Sequence, residues 1–239
     1  MELLNKRFYR RATSEDIQEQ ITKGADVNAR DEDGNSPLHL AAIYSENPAT
    51  IKELIQAGAI INARDENGWS PLHGAVARNK NIAVVKALIR AGADVNAQGE
   101  VGLLPLHVAA MWCKNAIIIE LLLQAGANVN ALDNHGWTPL IRASRFNDSH
   151  AVIVVLLQAK ACVNTRENRG ISPLQWAVQF NENPAVVLAL LDAGADVYAK
   201  TDGVHGLGDG KTALDLIKEN DALRNTVAHK KLLELSQNE

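Results

Sequence analysis

The sequence predicts an all-α solenoid in which helix–turn–helix units stack on one another and turns or hairpin loops project from one edge. The first observation behind this prediction is a period of 34 residues in the position of proline. The second is that each periodic proline follows a glycine-containing turn and opens an apolar segment, as in "DGNSPLHLAA". The third is a further apolar segment that ends in a motif such as "AGADVNA". Self-similarity at a fixed period is the sequence signature of repeat architectures. The periodic prolines are Pro37, Pro71, Pro105, Pro139 and Pro173.

Each unit carries the signals that begin and end two helices. In the first complete unit, Ser36 is a predicted N-cap, and Pro37 follows at the first helical position, where its missing N–H costs nothing. Asn47 is the predicted N-cap of the second helix, and Gly58 is predicted to end that helix in the left-handed conformation that glycine adopts readily. The second helix carries an apolar stripe that we expect to face a neighbouring helix. In this unit the stripe consists of Ile51, Leu54 and Ile55.

The repeats are predicted to form a single domain over residues 1–239. Both ends are predicted to be capping units. Residues 1–30 hold two helical stretches separated by Thr13 or Ser14, and residues 201–239 repeat the pattern after a glycine-rich turn insertion. Because capping units present a polar outer face, we expect an elongated monomer. The complete units are residues 31–64, 65–98, 99–132, 133–166 and 167–200.

The recurrent segments "SPLHLAA" and "GADVNA" resemble the two hallmark segments of the ankyrin repeat, and the period agrees with that family. The resemblance covers nearly the whole chain. It implies a non-enzymatic interaction scaffold that binds a protein partner through its concave groove. Two related alternatives stay open. One is an inhibitor or immunity-type protein that blocks the active site of a partner enzyme, and the other is a delivered bacterial effector that acts in this way.

Composition excludes several other kinds of partner. The net charge of −4 argues against a broad nucleic-acid surface. No apolar run approaches the roughly 20 residues that span a bilayer, so no membrane partner is predicted. The two cysteines, Cys113 and Cys162, provide no disulfide framework and indicate a reducing compartment. We therefore expect a cytoplasmic protein.

One stretch, "GVHGLGDGKTAL" at residues 203–214, raises the alternative of a nucleotide-binding enzyme. A phosphate-binding loop has the pattern Gly-x-x-x-x-Gly-Lys-Ser/Thr, but His205 stands where the first glycine is required. Aligned to the repeat period, Gly210 is instead a turn glycine and Thr212 an N-cap. We therefore predict that residues 203–210 lengthen a turn and that the chain holds no cofactor.

Three histidines recur at one repeat position and raise the question of a metal site. Stacked helices lie roughly 8–10 Å apart, whereas two nitrogens that share one zinc ion are little more than about 4 Å apart. The ankyrin resemblance implies instead that these side chains tie the turn together by hydrogen bonds. The chain is therefore predicted to have neither a metal site nor catalytic residues. The three histidines are His39, His73 and His107.

The partner-binding residues implied by the ankyrin resemblance lie at the turn tips and on the first helix of each unit. Trp69, Leu103 and Trp137 share one turn position in three consecutive units, so we expect an exposed apolar row, with Trp112 and Arg145 on the adjacent floor. Aromatic and arginine side chains dominate protein-binding hot spots. The other candidates are Tyr44, Arg78, Met111, Arg142, Phe146 and Trp176.

Substitution of the two turn tryptophans distinguishes a binding role from a structural role. Alanine at Trp69 or Trp137 is expected to weaken partner binding by about 2 kcal/mol or more, with little change in thermal stability.

The recurring aromatic position that includes Tyr44, Phe146 and Phe180 has an alternative role in the scaffold, since regular recurrence is typical of structural residues.

Overall fold

The computed structural model describes residues 2–79, 81–202 and 210–237, and this part of the chain consists of helices and connecting turns without a β-strand. The predicted all-α class is confirmed, and each predicted complete unit contains one pair of short helices. None of the described helices is long and apolar enough to cross a membrane. The α-helices are α1 Lys6–Tyr9, α2 Ser14–Thr22, α3 Pro37–Tyr44, α4 Pro48–Gln56, α5 Pro71–Arg78, α6 Ile82–Arg90, α7 Pro105–Trp112, α8 Ala116–Gln124, α9 Pro139–Phe146, α10 His150–Gln158, α11 Pro173–Phe180, α12 Pro184–Asp192, α13 Ala213–Ile217 and α14 Val227–Ser236.

The helices belong to two compact units with the same internal packing pattern. The first unit contains the chain up to Ala109 together with Gln124–Ala127, and the second contains Ala110–Leu123 and the chain from Asn128 onward. In the first unit, α3 packs on α1 and α5, while α4 packs on α2 and α6. In the second unit, α11 packs on α9 and α13, while α12 packs on α10 and α14. Each helix layer therefore buries its apolar side against the same layer of the next repeat. The assignment of residues 1–239 to a single domain stays a prediction.

The predicted helix caps are present. Ser36 accepts a hydrogen bond from the backbone N–H of His39 at 3.4 Å at the start of α3. Asn47 accepts one from the backbone N–H of Ala49 at 3.0 Å at the start of α4. Thr13, one of the two predicted candidates, caps α2. These side chains satisfy backbone donors that the first turn of a helix leaves without an internal acceptor.

Buried asparagines connect successive repeats, and the sequence pattern did not distinguish them from ordinary helix-ending residues. Asn181 follows α11, is 3% exposed, and donates through Nδ2 to the backbone oxygens of Ser144 and Asn147, both at 3.0 Å. Its Oδ1 accepts the backbone N–H of Asn183 at 2.9 Å. One amide thus satisfies two carbonyl groups of the preceding repeat and one donor of its own turn. Asn79, Asn147 and the partly buried Asn220 each donate in the same way to two backbone oxygens of the preceding repeat.

The repeat histidines make the hydrogen bonds that the ankyrin resemblance implied. In α5, Nδ1 of His73 lies 2.9 Å from Oγ of Ser70, and Nε2 lies 3.0 Å from the backbone oxygen of Leu103. His39 makes the equivalent pair of bonds in α3. In α11, Gln175 takes the histidine position and bonds to its own N-cap residue and to the next turn, both at 2.9 Å. Within the described residues, no group of three or more His, Cys, Asp or Glu side chains could hold a metal ion.

His73 is expected to make the stability of the fold depend on pH. Burial lowers the pKa of His73 to about 4, whereas a histidine in the unfolded chain titrates near 6.5. Between these values the unfolded state binds more protons than the folded state, so the free energy of unfolding falls as the pH falls. His73 alone is expected to contribute about 2–3 kcal/mol of this loss between pH 7 and about pH 4.5.

The variant His73→Gln copies the natural arrangement of Gln175, so it should keep the hydrogen bonds and remove this contribution to the pH dependence. Urea unfolding of both proteins at the two pH values measures the difference. On acidification, the free energy of unfolding of the wild-type chain should fall by more than that of the variant. Equal losses would contradict the prediction.

Candidate functional site

In the first compact unit, the turn position expected to be exposed is largely covered. The ring of Trp69 lies 5.8 Å from the imidazole of His73. It also lies against the next turn, where a Cβ added to Gly99 would come within 2.8 Å of the Trp69 ring. Leu103 is only 6% exposed. The expectation of an exposed row is therefore wrong for Leu103, while Trp69 stays partly accessible. The following turn covers part of the Trp69 ring, which the repeat position alone does not reveal.

The other candidates of the first unit lie around one cavity. Its volume is about 280 Å³, and Tyr44, Trp69 and Arg78 line it. Tyr44 is partly buried, and Arg78 is exposed at the end of α5. The turn side of this cavity carries the carboxylates of Asp33, Asp65, Glu66 and Glu100. The structure thus brings the three candidates together, and their role in partner binding stays a prediction.

In the second compact unit, Trp137, Trp176 and Met111 are core residues. Trp137 is 7% exposed, Trp176 is 3% exposed, and their ring centroids lie 4.9 Å apart. Met111 is 7% exposed. The expected exposure of Trp137 is therefore wrong, because its ring packs on the first helix of the following repeat. We now expect alanine at this position to cost stability.

Three accessible aromatic side chains lie instead at the last residue of first helices. Trp112 ends α7 and is 50% exposed, Phe146 ends α9 and is 46% exposed, and Phe180 ends α11 and is 45% exposed. One side of each phenylalanine packs on the core, because Phe146 stacks on Trp137 at 6.0 Å and Phe180 contacts Trp176 at 5.4 Å. These phenylalanines therefore combine a scaffold contact with an accessible surface.

Arg145 lies at the centre of these aromatic side chains. Its guanidinium carbon is 4.3 Å from the ring centroid of Trp176, 4.6 Å from that of Phe180, 4.9 Å from that of Phe146 and 5.5 Å from that of Trp137. We refer to these five residues as the arginine–aromatic surface. Cation–π attraction acts within about 6 Å of a ring centroid. It therefore fixes the position of the guanidinium group without using its N–H donors.

Arg142 is engaged within its own repeat. Its Nε donates to Oδ2 of Asp133 at 3.0 Å, and its Nη2 donates to the same oxygen. The other oxygen of Asp133 accepts the backbone N–H of Trp137 at 3.0 Å. The guanidinium carbon of Arg142 also lies 4.6 Å from the ring centroid of Trp137. Arg142 therefore holds the turn in place, and its contact with a partner stays a prediction.

A cavity of about 270 Å³ opens beside Arg145. Glu167 and Arg169 also line this cavity, and Oε2 of Glu167 is buried without a hydrogen-bond partner. Burial lowers the pKa of Arg145, and the charges of Arg142 and Arg169 lower it further, whereas the charge of Glu167 raises it. Glu167 and Arg169 are not among the candidates that the sequence predicts. Glu167 could have been found from the repeat period, because it takes the turn position that Asp133 takes in the preceding repeat.

The glycine-rich stretch is described in part. The predicted turn insertion and the first half of the possible phosphate-binding loop fall on residues 203–209, which lie outside the described residues. Beyond them, Gly210 has a φ of 67°, and Thr212 is the N-cap of α13, as the repeat alignment predicted. Nζ of Lys211 donates to Glu219 at 2.5 Å. The lysine of the possible phosphate motif is therefore used in an ion pair.

Known proteins share this architecture. A family model described as "Ankyrin repeats" matches in three overlapping copies, over residues 9–99, 75–167 and 106–201. The crystal structure of the human ASB11 ankyrin repeat domain is similar, with a TM-score of 0.78 and 26% sequence identity. That similarity covers 98% of this chain and 95% of the human domain. No protein among the curated sequences matches this chain.

Proposed function

Because this chain belongs to the ankyrin-repeat family, we propose that it is a non-enzymatic scaffold that binds a protein partner through the arginine–aromatic surface. Ankyrin repeats generally mediate protein–protein interaction. The single observation that supports this location is the exposure of Phe146 and Phe180, each nearly half accessible, with ring centroids 4.9 Å and 4.6 Å from the guanidinium carbon of Arg145.

An exposed aromatic cluster is unfavourable in water and is suited to binding a partner. Single exposed apolar side chains are common, but contiguous apolar surface is typical of interaction sites. Rigid aromatic rings bury a large area at a low entropic cost, and arginine adds directed hydrogen bonds, so both are enriched in hot spots. Here the rings are already held by Trp137 and Trp176, so little ordering remains to be done on binding.

Affinity purification with matched variants tests this proposal. Phe180→Ala removes an accessible ring of the arginine–aromatic surface, and Ile117→Ala removes a similarly accessible side chain from the second helix of another repeat. We expect quantitative mass spectrometry to find a protein whose recovery falls about tenfold or more with Phe180→Ala, the loss typical of a hot spot, and is unchanged with Ile117→Ala. Thermal melting of each variant controls for folding. Equal recovery of every protein by the wild-type chain and Phe180→Ala would contradict the proposed location.

A further inference from the structure

Arg145 has unused hydrogen-bonding capacity at a position that is already fixed. A guanidinium group carries five N–H donors in a planar fork. Within the described residues, no side-chain hydrogen bond or ion pair of Arg145 is present, although the side chain is partly buried. Four aromatic rings lie within 5.5 Å of its guanidinium carbon, and aromatic rings do not accept its N–H groups as a carboxylate does, so these donors remain for a ligand.

The charges around the neighbouring cavity leave an excess of positive charge. Three arginines, Arg142, Arg145 and Arg169, line the cavity, and Arg142 is neutralised by its ion pair with Asp133. Glu167 supplies the carboxylate in the cavity wall, but its Oε2 is buried away from solvent. Among the residues that line this cavity, Arg169 is exposed and Arg145 is partly exposed, whereas Glu167 is buried.

We propose that the arginine–aromatic surface binds an acidic protein segment, in which an aspartate or glutamate carboxylate pairs with the guanidinium edge of Arg145. An apolar side chain beside that acidic residue packs on the accessible sides of Phe146 and Phe180. Arg169 lines the same cavity and adds a second positive charge. This inference rests on the proposed function and names the chemistry of the partner.

Charge and geometry favour a carboxylate on a protein over other occupants. The planar guanidinium edge matches the two oxygens of a carboxylate and forms paired hydrogen bonds with it. A carboxylate also relieves the mutual repulsion of Arg142, Arg145 and Arg169, which contributes to the lowered pKa of Arg145. A nucleic acid is disfavoured because the chain has a net charge of −4 and this excess of positive charge is local.

A random peptide library displayed on phage and selected against the full chain provides defined probes. We expect enriched peptides to contain Asp or Glu next to an aromatic or aliphatic residue. The affinity of one such peptide should fall at least tenfold for Arg145→Met, which keeps the apolar stem over the rings, and should recover in part for Arg145→Lys. Arg90→Met, at an exposed arginine of α6, is the matched control and should bind as the wild-type chain does.

A double-mutant cycle between peptide and protein decides the inference. Exchange of the peptide's Asp for Asn, or Glu for Gln, should weaken binding to the wild-type chain strongly. The same exchange should hardly change binding to Arg145→Met, because the carboxylate–guanidinium pair is already absent from that complex. An equal loss on both proteins would overturn the inference, as would enriched peptides without an acidic residue. If enriched peptides without an acidic residue lose affinity for Phe180→Ala, the proposed binding surface is retained and only the acidic chemistry of the partner is contradicted. Binding of a single-stranded oligonucleotide that depends on Arg145 would also overturn the inference.

Discussion

Replacement of Asn181 by alanine is expected to lower the free energy of unfolding by about 3–5 kcal/mol, because three buried hydrogen bonds are lost together. Its Nδ2 satisfies the backbone oxygens of Ser144 and Asn147, and its Oδ1 satisfies the N–H of Asn183. With Asn181 3% exposed, the groups left behind gain little access to water. Equilibrium unfolding in urea measures the change.

The matched control for this prediction is Asn168→Ala. Asn168 is exposed and makes one long side-chain hydrogen bond of 3.4 Å to the backbone oxygen of Asn134. We expect its replacement to change the free energy of unfolding by no more than about 0.5 kcal/mol. Similar effects of the two substitutions would show that the buried asparagines do not couple successive repeats.

Replacement of Trp137 by alanine is expected to cost about 3–5 kcal/mol of stability, the range typical for loss of a buried tryptophan. Trp137 is 7% exposed and contacts Trp176 and Phe146. It also supports both Arg142 and Arg145 through cation–π contacts. The substitution therefore leaves a cavity and removes one wall of the arginine–aromatic surface.

The comparison with Phe146→Ala distinguishes core from surface in this cluster. Phe146 is 46% exposed, so its loss should cost clearly less stability than the loss of Trp137. Differential scanning calorimetry of the two variants measures this order. An unchanged melting temperature for Trp137→Ala, with partner binding lost, would restore the expectation of an exposed turn row and contradict the buried arrangement described above.

The sequence alone predicts the helical framework because its signals are local and repeated. Ser36 and Asn47 are N-caps in the structure as their residue types and positions predict, and the histidine ties follow the ankyrin resemblance. Thr212 also caps its helix despite the lengthened turn before it. Such features depend on a few neighbouring residues, and the repeat presents each of them several times.

The site is predicted less well because it depends on contacts between repeats. Trp137 and Leu103 occupy a turn position that has no local signal for burial, and in the structure both are covered. Asn181 resembles any residue that ends a helix until the carbonyl groups of the preceding repeat are in place. The sequence offers Arg145 as a candidate, and its binding role stays a prediction. Its aromatic surroundings and the buried Glu167 come from two different repeats, so no local pattern reveals them.

Site-specific photo-cross-linking tests the central claim, that the arginine–aromatic surface is the partner-binding surface of a scaffold. A photo-reactive phenylalanine derivative is placed at Phe180 in one protein and at the similarly exposed Ile117 in another. Adducts formed in cell extract are then identified by mass spectrometry. A protein adduct that forms from position 180 and not from position 117 is the result we predict. No adduct from position 180, or the same adducts in the same yield from both positions, would contradict the claim.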